Sequence, residues 1–273
     1  MDERVTVTSV PSSRFLVGPA LSQSFEIMFR NIVPFGIIAL LLTAPMFFLD
    51  LVSYESSVEM QQIAMDPEPL NDPETANQYT ASVQSGFVYS GTGILLYFLA
   101  WALATAAMSY GTYESLRGRP ASLGQCLQKG LPLILPAIFV TMLWALAIFA
   151  ASLLLIIPGI ILGTIWYVII PVTVVERPGI FAAFGRSAEL TRGNRWRVFG
   201  ISLVIGAIGW VMNLLAGLTS FATAGNASAV SLVGWIVAAA TLVIGSVVAA
   251  VVYYYLRIAR EGGSIEDIAA VFD

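Results

Sequence analysis

The stretch ERPGIFAAFGRSAELTRGNRWRVFG, residues 176–200, gathers the side chains with the greatest chemical capacity in this sequence. Five of the thirteen basic residues lie in it, Arg177, Arg186, Arg192, Arg195 and Arg197, with Glu176 and Glu189 among them. Such a stretch could support surface hydrolysis, hold lipid headgroups, or stitch two membrane spans together on their positive side. For headgroups, Arg186, Arg192 and Arg197, with Ser187, Asn194 and the backbone donors around Gly193, form a candidate pocket closed by Arg257 and Glu261. Each basic residue near an anionic leaflet is worth about 1 kcal/mol of attraction. The plainer alternative makes the same arginines determinants of topology and partners in interhelix pairs.

Hydrolysis finds little support. There is no His and a single Cys, Cys126, which excludes an internal disulfide, a Cys/His zinc site and any Ser-His or Cys-His pair. The carboxylates near basic residues, Glu26, Glu114, Glu176, Glu189, Glu261, Glu266 and Asp267, stand beside an Arg or at a helix end, where a salt bridge or cap is the ordinary role. Elsewhere DPEPLNDPETANQ sets Asp66, Glu68, Asp72 and Glu74 among three prolines. Clustered carboxylate oxygens suit a divalent cation, but a solvated, proline-stiffened loop is the simpler reading. No catalytic residue, resident metal or cofactor is assigned, and no enzyme is expected.

The elements that must position these residues are membrane spans. Charged residues make up 11% of the chain, less than half the share of about 25% in soluble domains, and mean hydropathy is +0.82. A spanning helix needs about 20 apolar residues. Six stretches qualify: 31–52, 86–113, 131–156, 158–175, 197–218 and 230–256. The third and fourth come from 46 consecutive uncharged residues, Gly130 to Val175, divided where Pro158-Gly159 marks a break. The fifth and sixth come from 59 such residues, Val198 to Leu256, divided at the small, polar 219–231. The first thirty residues lack the basic start and apolar core of a cleavable signal, so the first span is expected to remain as an anchor.

All thirteen basic residues fall in segments 1–30, 114–129, 176–197 and 257–273, which six spans place on one side. The other side holds none, and its acidic loop 53–85 follows Asp50. By the positive-inside rule both termini are expected in the cytoplasm. The spans themselves carry no ionisable residue well inside the bilayer, which argues against an ion-coupled permease.

Each pair of spans is preceded by a short segment that reads as an amphipathic interfacial helix: within residues 1–30, at 120–130 and at 179–194. At an offset of 163 residues Ala20, Ser24, Glu26 and Asn31 meet Ala183, Ser187, Glu189 and Asn194, which suggests three helix-plus-hairpin repeats. In the third, Ile180, Phe184, Ala188 and Thr191 share an apolar face expected to lie on the headgroup plane, opposite Arg186 and Glu189. Trp196 stands where an interfacial anchor belongs. The fold class is therefore all-α and polytopic, a single membrane domain with a 257–273 tail.

Glu176, Gly179, Arg186-Ser187, Leu190-Thr191, Gly193 and Trp196, with Tyr253, Leu256, Arg257, Glu261 and Gly262, carry a likeness to a known family. The pattern resembles the bacterial six-span proteins named for the membrane domain of glycerophosphoryl diester phosphodiesterases. The resemblance covers the second half of the chain and extends to the first half in layout. It implies a bacterial inner membrane and a phospholipid setting, with Glu176, Arg177, Gly179, Glu189, Trp196, Tyr253, Glu261 and Gly262 in structural or topological roles. The hydrolase of those proteins is a separate soluble barrel that does not fit in the seventeen residues after Leu256, so its activity is not carried over. The function expected is a non-catalytic scaffold or accessory factor in envelope or membrane-lipid homeostasis. Its partners would be anionic phospholipids and another envelope protein, with no nucleic acid. A transporter or lipid-handling permease without an intramembrane ionisable residue is the alternative.

Overall fold

The computed structural model describes residues 15–65, 72–119, 122–223 and 226–261, and among these the chain is helical with no strand. In order the helices are α1 (Val17–Arg30), α2 (Ile32–Met65), α3 (Pro73–Leu116), α4 (Leu123–Gly130), α5 (Ile134–Leu154), α6 (Ile156–Ile165), α7 (Ile169–Val175), α8 (Ile180–Thr191), α9 (Arg195–Ala222) and α10 (Ala227–Glu261). Six spans are long and apolar enough to cross a membrane: α2, α3, α5, α6 with α7, α9 and α10. A short helix precedes each hairpin, in the order that three repeats require.

Central to the bundle is α10, whose residues 246–254 are buried on every side by α1, α2, α3 and α9. Small side chains make this possible. Ala100, Ala102, Ala104, Ala106 and Ala107 on α3 are all buried, and Thr105 and Ser246 join α3 to α10 through their hydroxyls at 2.9 Å. Close approach between membrane helices depends on such residues, because lipid supplies no hydrophobic drive to hold helices together. Gly111 shows the tolerance: a Cβ there would lie 2.6 Å from the Phe35 ring and 2.8 Å from the Cys126 sulfur. Helices α2, α3 and α4 therefore meet at a point with no room for a methyl group.

Three boundaries differ from the sequence expectation. The acidic loop 53–85 is mostly helix, since α2 continues to Met65 and α3 begins at Pro73. Hydropathy ends a span where charge begins, but a helix satisfies its own backbone and can run on into water. At the start of α3, Asp72 accepts hydrogen bonds from the Thr75 N–H and hydroxyl, both at 3.0 Å, and Pro73 occupies the first helical position. Those bonds hold the Asp72 carboxyl below its ordinary value. Asp66 and Glu68 lie outside the described residues.

The second difference is at Pro158, which sits inside the first turn of α6 rather than at the break. Proline is tolerated there because that N–H has no intrahelical acceptor. The chain turns instead at Leu155, in extended conformation with φ −161°. Gly159 has a packing role, since a Cβ would come within 2.1 Å of the Ser152 hydroxyl across the α5–α6 hairpin. Third, the fourth span is interrupted at 166–168, between α6 and α7.

Cys126 is fully buried, and burial pushes its thiol up to about 11. In the folded protein at pH 8 it should react with a maleimide far more slowly than after denaturation. Gly111→Val should speed that labelling and lower stability by about 1–3 kcal/mol, the usual cost of overpacking. Equal labelling rates in the folded wild type and the denatured chain would contradict this packing.

Candidate functional site

At one end of the bundle the C-terminus of α7, the turn after it, α8 and the last turns of α10 converge on one guanidinium. Arg186 donates from Nε to Glu176 Oε2 at 2.6 Å and from Nη2 to Glu176 Oε1 at 3.2 Å, a two-pronged pairing. Its Nη2 also reaches Glu261 Oε1, and its Nη1 lies 3.3 Å from Glu189 Oε2. From the far side Arg257 donates to Glu261 Oε2 at 3.0 Å and to the Tyr253 hydroxyl at 3.2 Å. That hydroxyl in turn donates to Glu176 Oε1 at 2.9 Å, which closes the ring. Burial alone would lower the affinity of Arg186 for its proton, but the hydrogen bonds it donates to Glu176 and Glu261 outweigh burial and push it up. The guanidinium is thus held charged and already occupied.

Directly below, α8 performs a second task. The interruption after Ile165 leaves a helix-end carbonyl without its usual partner, and both the Ser187 and Thr191 hydroxyls donate to it at 3.1 Å. The Phe184 ring stands edge-on to Trp166 in the same break, with centroids 5.0 Å apart. Irregular backbone at membrane depth needs this kind of internal satisfaction.

The expected headgroup pocket is corrected in several members. Ser187 is fully buried and bonded to Ile165, so it is out of reach of a headgroup. Arg186 and Arg257 are taken by carboxylates. Arg197 donates to the Phe15 carbonyl and so ties α9 to the entry of α1, with Asn194 Oδ1 at 3.5 Å. Arg192 is exposed, and Gly193 makes the turn into α9 with φ +89°. The buried face of α8 is also rotated from the expected one. Ala183, Ser187, Leu190 and Thr191 are buried, whereas Phe181 points outward. The helix packs on protein, where close approach favours small and hydroxyl-bearing side chains.

Arg177 and Gly179 turn the chain between α7 and α8 with φ of +50° and +92°, Glu189 stays exposed beside Arg186, and Trp196 is 85% exposed at the start of α9. Gly262 lies outside the described residues. At the offset of 163 three of the four paired positions match in burial: Ala20 and Ala183 are buried, Ser24 and Ser187 are buried, Glu26 and Glu189 are exposed, whereas Asn31 is buried and Asn194 half-buried.

Sequence reasoning did not find the tie on α1 and α3, where Arg30 donates to the Ser115 carbonyl and Asn31 donates to Ser115 Oγ at 2.7 Å. Nor did it find Thr191 as a partner of Ile165, although Thr191 follows Ser187 by one helical turn and that spacing puts both hydroxyls on one face.

Two cavities adjoin between α6 and α9, of about 430 and 580 Å³. Another, of about 510 Å³ between α2 and α3, has Asp50, Ser53, Tyr89, Ser90 and Tyr97 in its walls. No group of three or more metal-ligating side chains occurs among the described residues.

A family model described as Domain of unknown function (DUF7847) matches residues 16–260, which takes in the six spans and, Glu261 apart, the arginine network. The chain belongs to that family. No curated protein and no solved structure matches it.

Arg186→Met should leave Glu176 and Glu261 short of a cation and lower stability by about 1–3 kcal/mol. This is less than for a fully buried pair because the two side chains of the main pairing keep 20% and 15% exposure. Adding Glu176→Gln should recover part of the loss. Thermal unfolding in lipid nanodiscs reads both, and an unchanged midpoint for Arg186→Met would refute the pairing.

Proposed function

We propose that this chain is a non-catalytic integral protein of a bacterial cytoplasmic membrane, with both termini in the cytoplasm. It serves as a scaffold or accessory factor in envelope or membrane-lipid homeostasis, and its basic end faces phospholipid headgroups. One observation carries the proposal: the charge of the bundle is polarised. Arg30, Arg117, Arg119, Arg186, Arg197 and Arg257 bond to groups where the ends of α1, α3, α7, α8 and α10 meet, while Asp50 lies in the second half of α2 and Asp72 and Glu74 at the opposite end of α3. The positive-inside rule assigns the arginine end to the cytoplasm.

The same network speaks against catalysis. Its guanidinium and carboxylate groups neutralise one another, and the one thiol is buried and protonated. The likeness of Arg186-Ser187, Gly193, Trp196 and Tyr253 to the membrane domain of glycerophosphoryl diester phosphodiesterases supports a phospholipid setting without supplying a hydrolase. The interrupted fourth span beside the open α6–α9 seam favours a second reading, a lipid-handling permease.

A reporter fused after Asp273 should be active in the cytoplasm, and activity in the periplasm would overturn the orientation. Purification in mild detergent with mass spectrometry should then recover one envelope protein in stoichiometric amount. Rapid lipid exchange between leaflets of vesicles holding the pure chain would overturn the scaffold role in favour of the permease.

A further inference from the structure

The seam between α6 and α9 is separate from the arginine network and differs from it in kind. Its two cavities share Ile160, Thr164 and Phe199, so they form one groove. Along α9 its wall runs from Arg195 to Trp210, about 22 Å at 1.5 Å per residue. Half of a bilayer's hydrocarbon core is about 15 Å deep, so the groove accommodates an acyl chain along its length. The walls are largely apolar, with the Thr164, Ser202 and Tyr167 hydroxyls and the Trp144 and Trp210 indoles as their polar groups, and at one end Arg195 and Trp196 stand together; no carboxylate lines either cavity. Thr164 spends its hydroxyl on the Ile160 carbonyl and Ser202 on that of Phe199, whereas the buried Trp144 Nε1 has no hydrogen-bond partner.

Arg195 shares the lack of a partner with Arg177, Arg192 and Arg260 among the described residues, and of these four it is the one that lines the groove. Arg117, Arg119, Arg186 and Arg257 are paired with carboxylates, and Arg30 and Arg197 hold backbone carbonyls. Arg195 is exposed and makes no ion pair or hydrogen bond among the described residues. A groove that is apolar along its length and cationic at one end is complementary to an amphiphile with one anionic end. A protein helix would need the charge elsewhere, or none.

We propose that the α6–α9 seam binds one anionic phospholipid from the leaflet on the arginine side. An acyl chain lies along the groove, the phosphate pairs with Arg195, and Trp196 flanks the glycerol region as an interfacial aromatic does. The proposal deepens the reading of the basic end as a headgroup-facing surface and rests on it.

The test uses the full chain in nanodiscs of phosphatidylcholine with phosphatidylglycerol, released for native mass spectrometry that counts retained lipids of each class. The wild type retains phosphatidylglycerol in preference to phosphatidylcholine. Arg195→Gln reduces that preference about fivefold, the factor that corresponds to the attraction of one basic residue at an anionic surface. Gly206→Leu, at a position where nothing lies within 4 Å of a new Cβ, fills the groove and reduces retention of both classes. Arg192→Gln, exposed at the same end but outside the groove, lowers that preference less than Arg195→Gln does. Undiminished preference in Arg195→Gln, or an equal loss in Arg192→Gln, would overturn the site and show only diffuse attraction to the rim. Either result would leave the scaffold role standing, because the reporter after Asp273 and the co-purified partner are read independently of lipid class.

Discussion

A charge or an open carbonyl inside a membrane bundle must find its partner within the protein, because lipid tails offer none. In this chain one twelve-residue helix, α8, meets both demands at adjacent positions. Arg186 draws together Glu176, Glu189 and Glu261, and Ser187, the next residue, caps the broken fourth span at Ile165. The second hairpin and the third are thereby fastened to each other through α8 rather than through their long helices alone. Pairing of this type is seldom a large net source of stability, but it defines one arrangement, since displacement of α8 would take Arg186 from Glu176 and Glu261 and open the Ile165 carbonyl at the same time.

This constraint shapes what remains for function. Arg186, Arg257, Glu176 and Glu261 are spent on one another at the charged end. The uncommitted features lie beside the network: the free guanidinium of Arg195, the exposed Trp196 and the apolar seam that begins between them. The family match across residues 16–260 covers the fastening and the seam alike.

How much of this the sequence discloses follows from the range of each interaction. The six spans are legible because twenty apolar residues are a local property, and the short helices preceding each hairpin are legible by periodicity. The offset of 163 anticipates shared burial at Ala20 and Ala183 and at Ser24 and Ser187 because the small residues needed for close packing recur with it. The extent of α2 and α3 beyond the bilayer is not legible from hydropathy, which is blind to a helix that continues among polar residues. The break at Trp166–Val168 is signalled in sequence by Pro171 alone, which denies the Tyr167 carbonyl its helical donor; the hydroxyls that stabilise it come more than twenty residues later. The arginines were the least legible. Sequence places Arg186, Arg192, Arg195 and Arg197 side by side as equivalents, whereas the fold pairs the first with acids, ties the last to a backbone carbonyl and leaves the other two exposed.

The most direct test of the account is the distance from the Arg186 guanidinium to its nearest anion in a bilayer. Solid-state NMR can measure it by dipolar recoupling between guanidine nitrogen and side-chain carboxyl carbon, with a parallel experiment to lipid phosphorus. The account requires Arg186 to lie in direct contact with Glu176, as the 2.6 Å separation of Nε and Oε2 dictates, and to show no phosphorus contact. A guanidinium remote from both Glu176 and Glu261 and close to lipid phosphate would contradict it.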